Sequence, residues 1–167
     1  MGETETASEV TERFLIFRLG VEEYGLPLAS VVEVTRLPER LTRVPKAPAF
    51  IEGVLNLRGT VTPVIDQRQR FGAAHGDGVQ RPRVIVTTVD GRAAGFVVDA
   101  VTEILSLGDD KIAPTPELTG DAGRLFQRIA TLDDGARLIL LIEPKEMLAR
   151  AERDLLASLD GMAASET

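Results

Sequence analysis

"RVIVTTVDGRAAGFVV", residues Arg83 to Val98, decides what kind of backbone this chain builds. Two runs rich in β-branched and apolar residues flank Asp90-Gly91. An Asp-Gly pair suits the two positive-φ positions of a tight hairpin turn, and β-branched side chains pack well on a pleated surface. The stretch therefore reads as a β-hairpin. Working outward, "TEILSL" continues the β character, and "IATLDDGARLILLIE" repeats the device around Asp134-Gly135. Upstream, "FLIFRLG" (Phe14–Gly20) is a short apolar run ended by Gly, hence a strand. Tyr24, Leu26 and Leu28 alternate as a strand does, with Pro27 marking an edge or irregularity, and "VVEVTRL" resumes the β-branched pattern. "TVTPVID" (Thr60–Asp66) is a further strand, with Asp66 placed to cap a short turn, "QRQRF", closed by Gly72.

Other stretches punctuate the strands. "PERLTRVPKAPAFIEG" holds Pro38, Pro45 and Pro48, which predicts a shaped loop with one helical turn near Ala49–Glu52. "AAHGDGVQRP" is a flexible, apolar-poor connection. Only the end is helical: Pro144 suits a helix start, and Met147, Leu148, Leu155, Leu156 and Leu159 fall at helical spacing. Short strands between turn signals, with no alternating βα units, predict a mainly β fold: a small barrel or barrel pair with a C-terminal helix.

Composition narrows the function. The hydrophobic fraction is 44% of 167 residues, enough for a packed core, while aromatics are only 4% with no Trp. The core must be built from Val, Ile and Leu, with Phe14, Phe17 and Phe96 expected inside it. Net charge is -7, which argues against nucleic-acid binding. The charge is uneven. Residues 1–12 carry Glu3, Glu5, Glu9 and Glu12 without a base and read as a disordered acidic tail. From Arg36 to Arg70 the sign reverses: seven bases (Arg36, Arg40, Arg43, Lys46, Arg58, Arg68, Arg70) stand against Glu39, Glu52 and Asp66. That segment is either a solvated face or a docking surface for an acidic partner. Cysteine is absent, no apolar leader is visible, and no apolar run reaches the ~20 residues of a bilayer span. A soluble, cytoplasmic protein is expected.

The search for reactive groups finds little. His75 is the only histidine and sits in the loop "GAAHGDG"; it cannot form a metal site without carboxylates at readable spacing. No nucleophile elbow, phosphate-binding loop or dinucleotide fingerprint occurs. Asp66 and Asp99 each end an apolar run, so a small hydrolase using them is one alternative; capping a strand or turn is the plainer role. Asp109-Asp110 lacks the alternating strands and helices of a receiver domain. A barrel binding single-stranded nucleic acid would need more surface aromatics than the candidates Phe50 and Phe71. No cofactor is expected. What stands out is a proline-shaped, basic loop followed by Asn56-Leu57-Arg58-Gly59, which points to binding a macromolecule.

Four ordered blocks carry a resemblance: "FLIFRLGVEEYGLPLASVVEV", "TRVPKAPAFIEGVLNLRGTVTPVIDQRQRFG", "AAGFVVDAVTEILSL" and "LILLIEPKEML". Together they resemble the chemotaxis coupling protein family, CheW, across residues 13–150, with 151–167 left as helix end and frayed tail. The resemblance implies two small SH3-like five-stranded β-barrel subdomains with intertwined chain ends and a groove between them. It implies a non-enzymatic adaptor linking the cytoplasmic tips of methyl-accepting chemoreceptors to the regulatory domain of a CheA-type histidine kinase. It also implies a monomer in isolation and a ring or lattice in receptor arrays beneath the inner membrane, without membrane insertion. A CheW-like scaffold for pili, developmental or second-messenger signalling is the alternative. Carried over position by position, the receptor site comprises Val31, Gly53, Asn56, Arg58 and Ile104. The kinase site comprises Leu28, Glu33 and Leu118.

Overall fold

The computed structural model describes residues 10–38, 41–45, 51–66, 82–115 and 120–152. Eleven strands among them form two sheets. The first runs β8 (Ala100–Gly108), β1 (Thr11–Leu19), β2 (Glu22–Pro27), β11 (Arg137–Leu141), β10 (Arg128–Leu132), β9 (Ile112–Pro114). The second runs β3 (Val31–Arg36), β6 (Arg83–Val89), β7 (Arg92–Val98), β5 (Thr60–Asp66), β4 (Ile51–Leu57). Neighbours are antiparallel except β2 with β11 and β5 with β7. The fold is mainly β, as expected. The second sheet has the five strands anticipated, and the first has a sixth, the three-residue β9.

Both sheets curl. β8 and β9 are opposite edges of the first sheet, yet only the turn Asp109–Lys111 separates them in the chain. Two edges joined by so short a link force the sheet round on itself, as in a barrel. In the second sheet, the Leu37 N–H donates to the Pro82 carbonyl at 3.3 Å, extending edge strand β3. Thr42 then forms a bridge with Val54 of the opposite edge, β4.

The core explains the "FLIF" run. Phe14 and Ile16 point into the first barrel with Leu107, Ala130, Ile139 and Leu141. Leu15, Phe17 and Leu19 take the other face and pack with Tyr24, Leu26, Ile65, Ile85, Phe96 and Val98. Strand β1 is thus buried on both faces because the second barrel covers its outer side. Val64, Val84, Val86 and Val97 fill the second barrel. Phe14, Phe17 and Phe96 are buried, as the sequence predicted. Phe17 stacks on Tyr24, with ring centroids 5.7 Å apart, and Tyr24 meets Phe126 at 5.8 Å. A helix over 144–152 closes the seam with Met147, Leu148 and Ala151. Pro144 opens that helix, and Glu143 leads into it by accepting the Met147 N–H at 3.0 Å.

Three local expectations need adjustment or correction. Asp90 and Gly91 (φ 51° and 79°) form the two-residue hairpin predicted. The Asp134-Gly135 turn does not repeat it: Leu132 pairs with Arg137, and Asp133, Asp134 and Gly135 are all left-handed. The extra left-handed Asp lengthens the loop, which the Ala136 N–H closes on the Asp133 carbonyl at 3.0 Å. Ile51 and Glu52 belong to strand β4, not to a helical turn, because they pair against β5. Thr11 and Glu12, expected in the acidic tail, are in β1, and Arg128 grips the Glu12 carboxylate at 2.8 and 3.3 Å. The turn expected after Asp66 lies outside the described residues.

Arg137 ties three strands of the first barrel. It donates to Glu23 at 2.7 and 2.8 Å and to Glu103 at 2.7 Å. The Arg137 hydrogen bond holds the Glu23 carboxyl below the ordinary carboxylate value, with burial opposing and the charges of Arg137 and Arg18 assisting. A lowered folded-state pKa gives stability that is complete above the unfolded value of 4.5 and is lost as pH falls through the folded value. Arg137→Met is expected to lower stability by about 1 kcal/mol at pH 7 and by much less at pH 3. Urea unfolding at the two pH values checks this; an equal loss at both would show that packing, not the ion pair, is responsible.

Candidate functional site

Leu57 and Thr60 pair at the end of the β4–β5 hairpin, leaving Arg58-Gly59 as a two-residue turn. Arg58 has φ 53° and Gly59 φ 84°, the same left-handed pair seen at Asp90-Gly91. At the first position of such a turn Asn, Asp and Gly are favoured, because the left-handed region costs other residues about 1–2 kcal/mol. Arginine supplies no local compensation for that cost. Its side chain is 80% exposed, with Nη2 3.9 Å from Glu33 Oε2 on β3. An exposed pair at that distance contributes little to stability, so the guanidinium keeps most of its donors available.

Asn56 precedes the turn. Its side-chain carbonyl accepts the Gly59 N–H at 3.0 Å. Gly53 lies within β4, where register shifts between Ile51 and Gly53. The structure places it mid-strand. Its φ is 152°, and a Cβ there would stand 2.6 Å from the Thr42 carbonyl oxygen and 2.9 Å from Leu41 Cβ. The Val54 N–H donates to that same Thr42 oxygen at 2.8 Å. Gly53 is therefore the gap through which segment 41–45 lies down on β4. Gly53→Ala is expected to cost about 2 kcal/mol by combining strain with that clash. Chemical denaturation checks it, and a loss below about 0.5 kcal/mol would mean the segment simply moves aside.

Val31 and Ile104 come from different barrels. Val31 opens edge strand β3 and packs, half-buried, on the shared inter-barrel core. Ile104 lies on edge strand β8 opposite Leu15, a member of that core, and is exposed. Leu28, in the turn Leu28–Ser30 between β2 and β3, is half-buried against the same core. Glu33, expected on the kinase side, lies 3.9 Å from Arg58, expected on the receptor side. Leu118, His75, Phe50 and Phe71 lie outside the described residues.

The carboxylates considered for acid–base work are buried. Asp99 Oδ2 accepts the Gly20 N–H at 2.6 Å and so caps the β1–β2 turn. Asp109 and Asp110 are exposed in the turn joining β8 to β9. Among the described residues no group of three His, Cys, Asp or Glu could hold a metal ion, and no helix is long and apolar enough to cross a membrane. Sequence reasoning missed the nearness of Glu33 to Arg58, which depends on long-range pairing. It also missed the bond from Gly59 to Asn56, although Asn three residues before a turn Gly carries that signal.

Two curled sheets packed on one core, with a strained arginine at an exposed hairpin tip, define a two-barrel binding module. The chain belongs to the CheW-like domain family, whose model matches residues 13–152. It is similar to the probable chemotaxis protein CheW of Rhizobium etli, 38% identical over 141 residues covering 84% of this chain and 89% of that protein. The chemotaxis protein CheW of Klebsiella aerogenes is 36% identical over 157 residues, 93% of this chain and 91% of that one. Among solved structures, the scaffolding protein TtCheW from Thermoanaerobacter tengcongensis matches with a TM-score of 0.69 and 35% identity, covering 80% of this chain and 90% of that chain.

Proposed function

We propose that this chain is a non-enzymatic chemotaxis adaptor that couples chemoreceptor cytoplasmic tips to a CheA-type histidine kinase. Family membership supports the reading, and the chemotaxis names of the similar proteins favour this setting over pili, developmental or second-messenger signalling. One observation carries it furthest: Arg58, exposed at a hairpin tip in a conformation that disfavours arginine. A receptor tip is a helical hairpin, and a helix lays apolar side chains into an apolar seam. Val31 and Ile104 offer that seam. Arg58 adds a charge-assisted bond to a helix carboxylate or carbonyl, with a planar fork that lysine cannot copy. Gly53 and Asn56 shape the backbone of the receptor side, and Leu28, Glu33 and Leu118 make the kinase side. Each single contact is modest, so array assembly relies on multivalency. The protein works in the cytoplasm at receptor arrays, alone as a monomer and in rings with the kinase. A pull-down with a receptor tip fragment and a kinase regulatory domain tests this; the chain should retain both, and retention of neither would remove the proposal.

A further inference from the structure

We propose that Asn56 is a positioning residue for Arg58: its side-chain carbonyl fixes the tip peptide so that Arg58 stays in the left-handed backbone region from which it meets its partner. The inference rests on the reading of Arg58 as a partner-contacting group. It assigns Asn56 a role different from direct contact.

The geometry is specific. The Gly59 N–H belongs to the peptide unit that joins Arg58 to Gly59. Holding that N–H at 3.0 Å on Asn56 Oδ1 fixes the orientation of the peptide plane, and with it the backbone on the C-terminal side of Arg58. Without an anchor, the central peptide of a two-residue hairpin turn can flip between the I′ and II′ forms, which differ in that plane. A flip would re-aim everything at the tip.

The second hairpin of the same fold explains why a brace is needed here. Asp90 occupies the equivalent first position with φ 51°, close to the 53° of Arg58. A short Asp side chain makes local hydrogen bonds that ease the left-handed region. A long arginine makes none of that kind, and its side chain is 80% exposed. The stabilising group has to come from a neighbouring residue, and Asn56 is on β4 directly before the Leu57–Thr60 pair that closes the turn. Asn56 is itself exposed, so its amide is not spent on the core.

The test uses the full chain. Hydrogen exchange at the Gly59 amide and the Gly59 backbone coupling constants are measured in the free protein, for Asn56→Ala and Asn56→Asp. Capture of a receptor tip fragment is then titrated for Asn56→Ala alone and in the Arg58→Ala background. Asn56→Ala should speed Gly59 exchange and weaken capture about fivefold, the scale of one hydrogen bond. Asn56→Asp, which keeps the acceptor, should preserve Gly59 protection. In the Arg58→Ala background, Asn56→Ala should add no further loss. Unchanged Gly59 exchange in Asn56→Ala, or an equal loss of capture on both backgrounds, would overturn the proposal. The underlying reading fails separately: Arg58→Ala would then capture the fragment as well as the parent chain.

Discussion

Arg58→Glu is expected to weaken capture of a receptor tip fragment by about a hundredfold or more, as reversing a central interface charge does. The unfolding midpoint should stay close to that of the parent chain. Arg58 is exposed, and its pair with Glu33 spans 3.9 Å. A companion variant separates function from stability. Arg58→Asn places a residue suited to the left-handed tip, so it should raise stability by about 0.5–1 kcal/mol while also losing capture. Opposite signs for the two properties are the signature of strain retained for binding. Titration of the fragment and urea unfolding of both variants check this. Capture at parental affinity by folded Arg58→Glu would dismiss the site.

The largest stability effect should come from Phe17→Ala. Phe17 is fully buried where the two barrels meet, stacked on Tyr24. Truncating such a ring leaves a cavity and typically costs about 3–5 kcal/mol, a large part of the roughly 5–15 kcal/mol that holds a domain folded. The core it occupies draws Leu15, Tyr24 and Leu26 from one sheet and Ile65, Ile85 and Phe96 from the other. Both barrels should therefore unfold in one transition. Tyr24 is the only tyrosine and the chain has no Trp, so tyrosine emission reports this seam directly. It should change together with far-ultraviolet circular dichroism. Two separate transitions, or a loss under about 1 kcal/mol, would mean the barrels are independent.

Local chemistry was legible in the sequence, and long-range pairing was not. Asp90-Gly91 and Pro144 declare their turn and helix start because a single backbone dihedral preference decides each. "FLIF" declares a strand. What covers its second face depends on β6 and β7, some seventy residues later in the chain. The parallel pairs β2 with β11 and β5 with β7 leave no trace in periodicity. The need for Gly53 shows only when the Thr42 carbonyl is seen against it. Arg58 was found through resemblance, but its left-handed backbone was hidden, since residue preferences argue against arginine there. Placing Glu33 beside it required β3 and the hairpin tip to be neighbours in space.

The central claim is that one chain joins two partners through surfaces it holds ready. Sedimentation of receptor-containing membranes with the kinase regulatory domain, with and without this chain, measures that directly. The kinase domain should enter the pellet only when the chain is present, and Arg58→Glu should leave both in the supernatant. Kinase sedimentation that is the same with and without the chain would contradict the account.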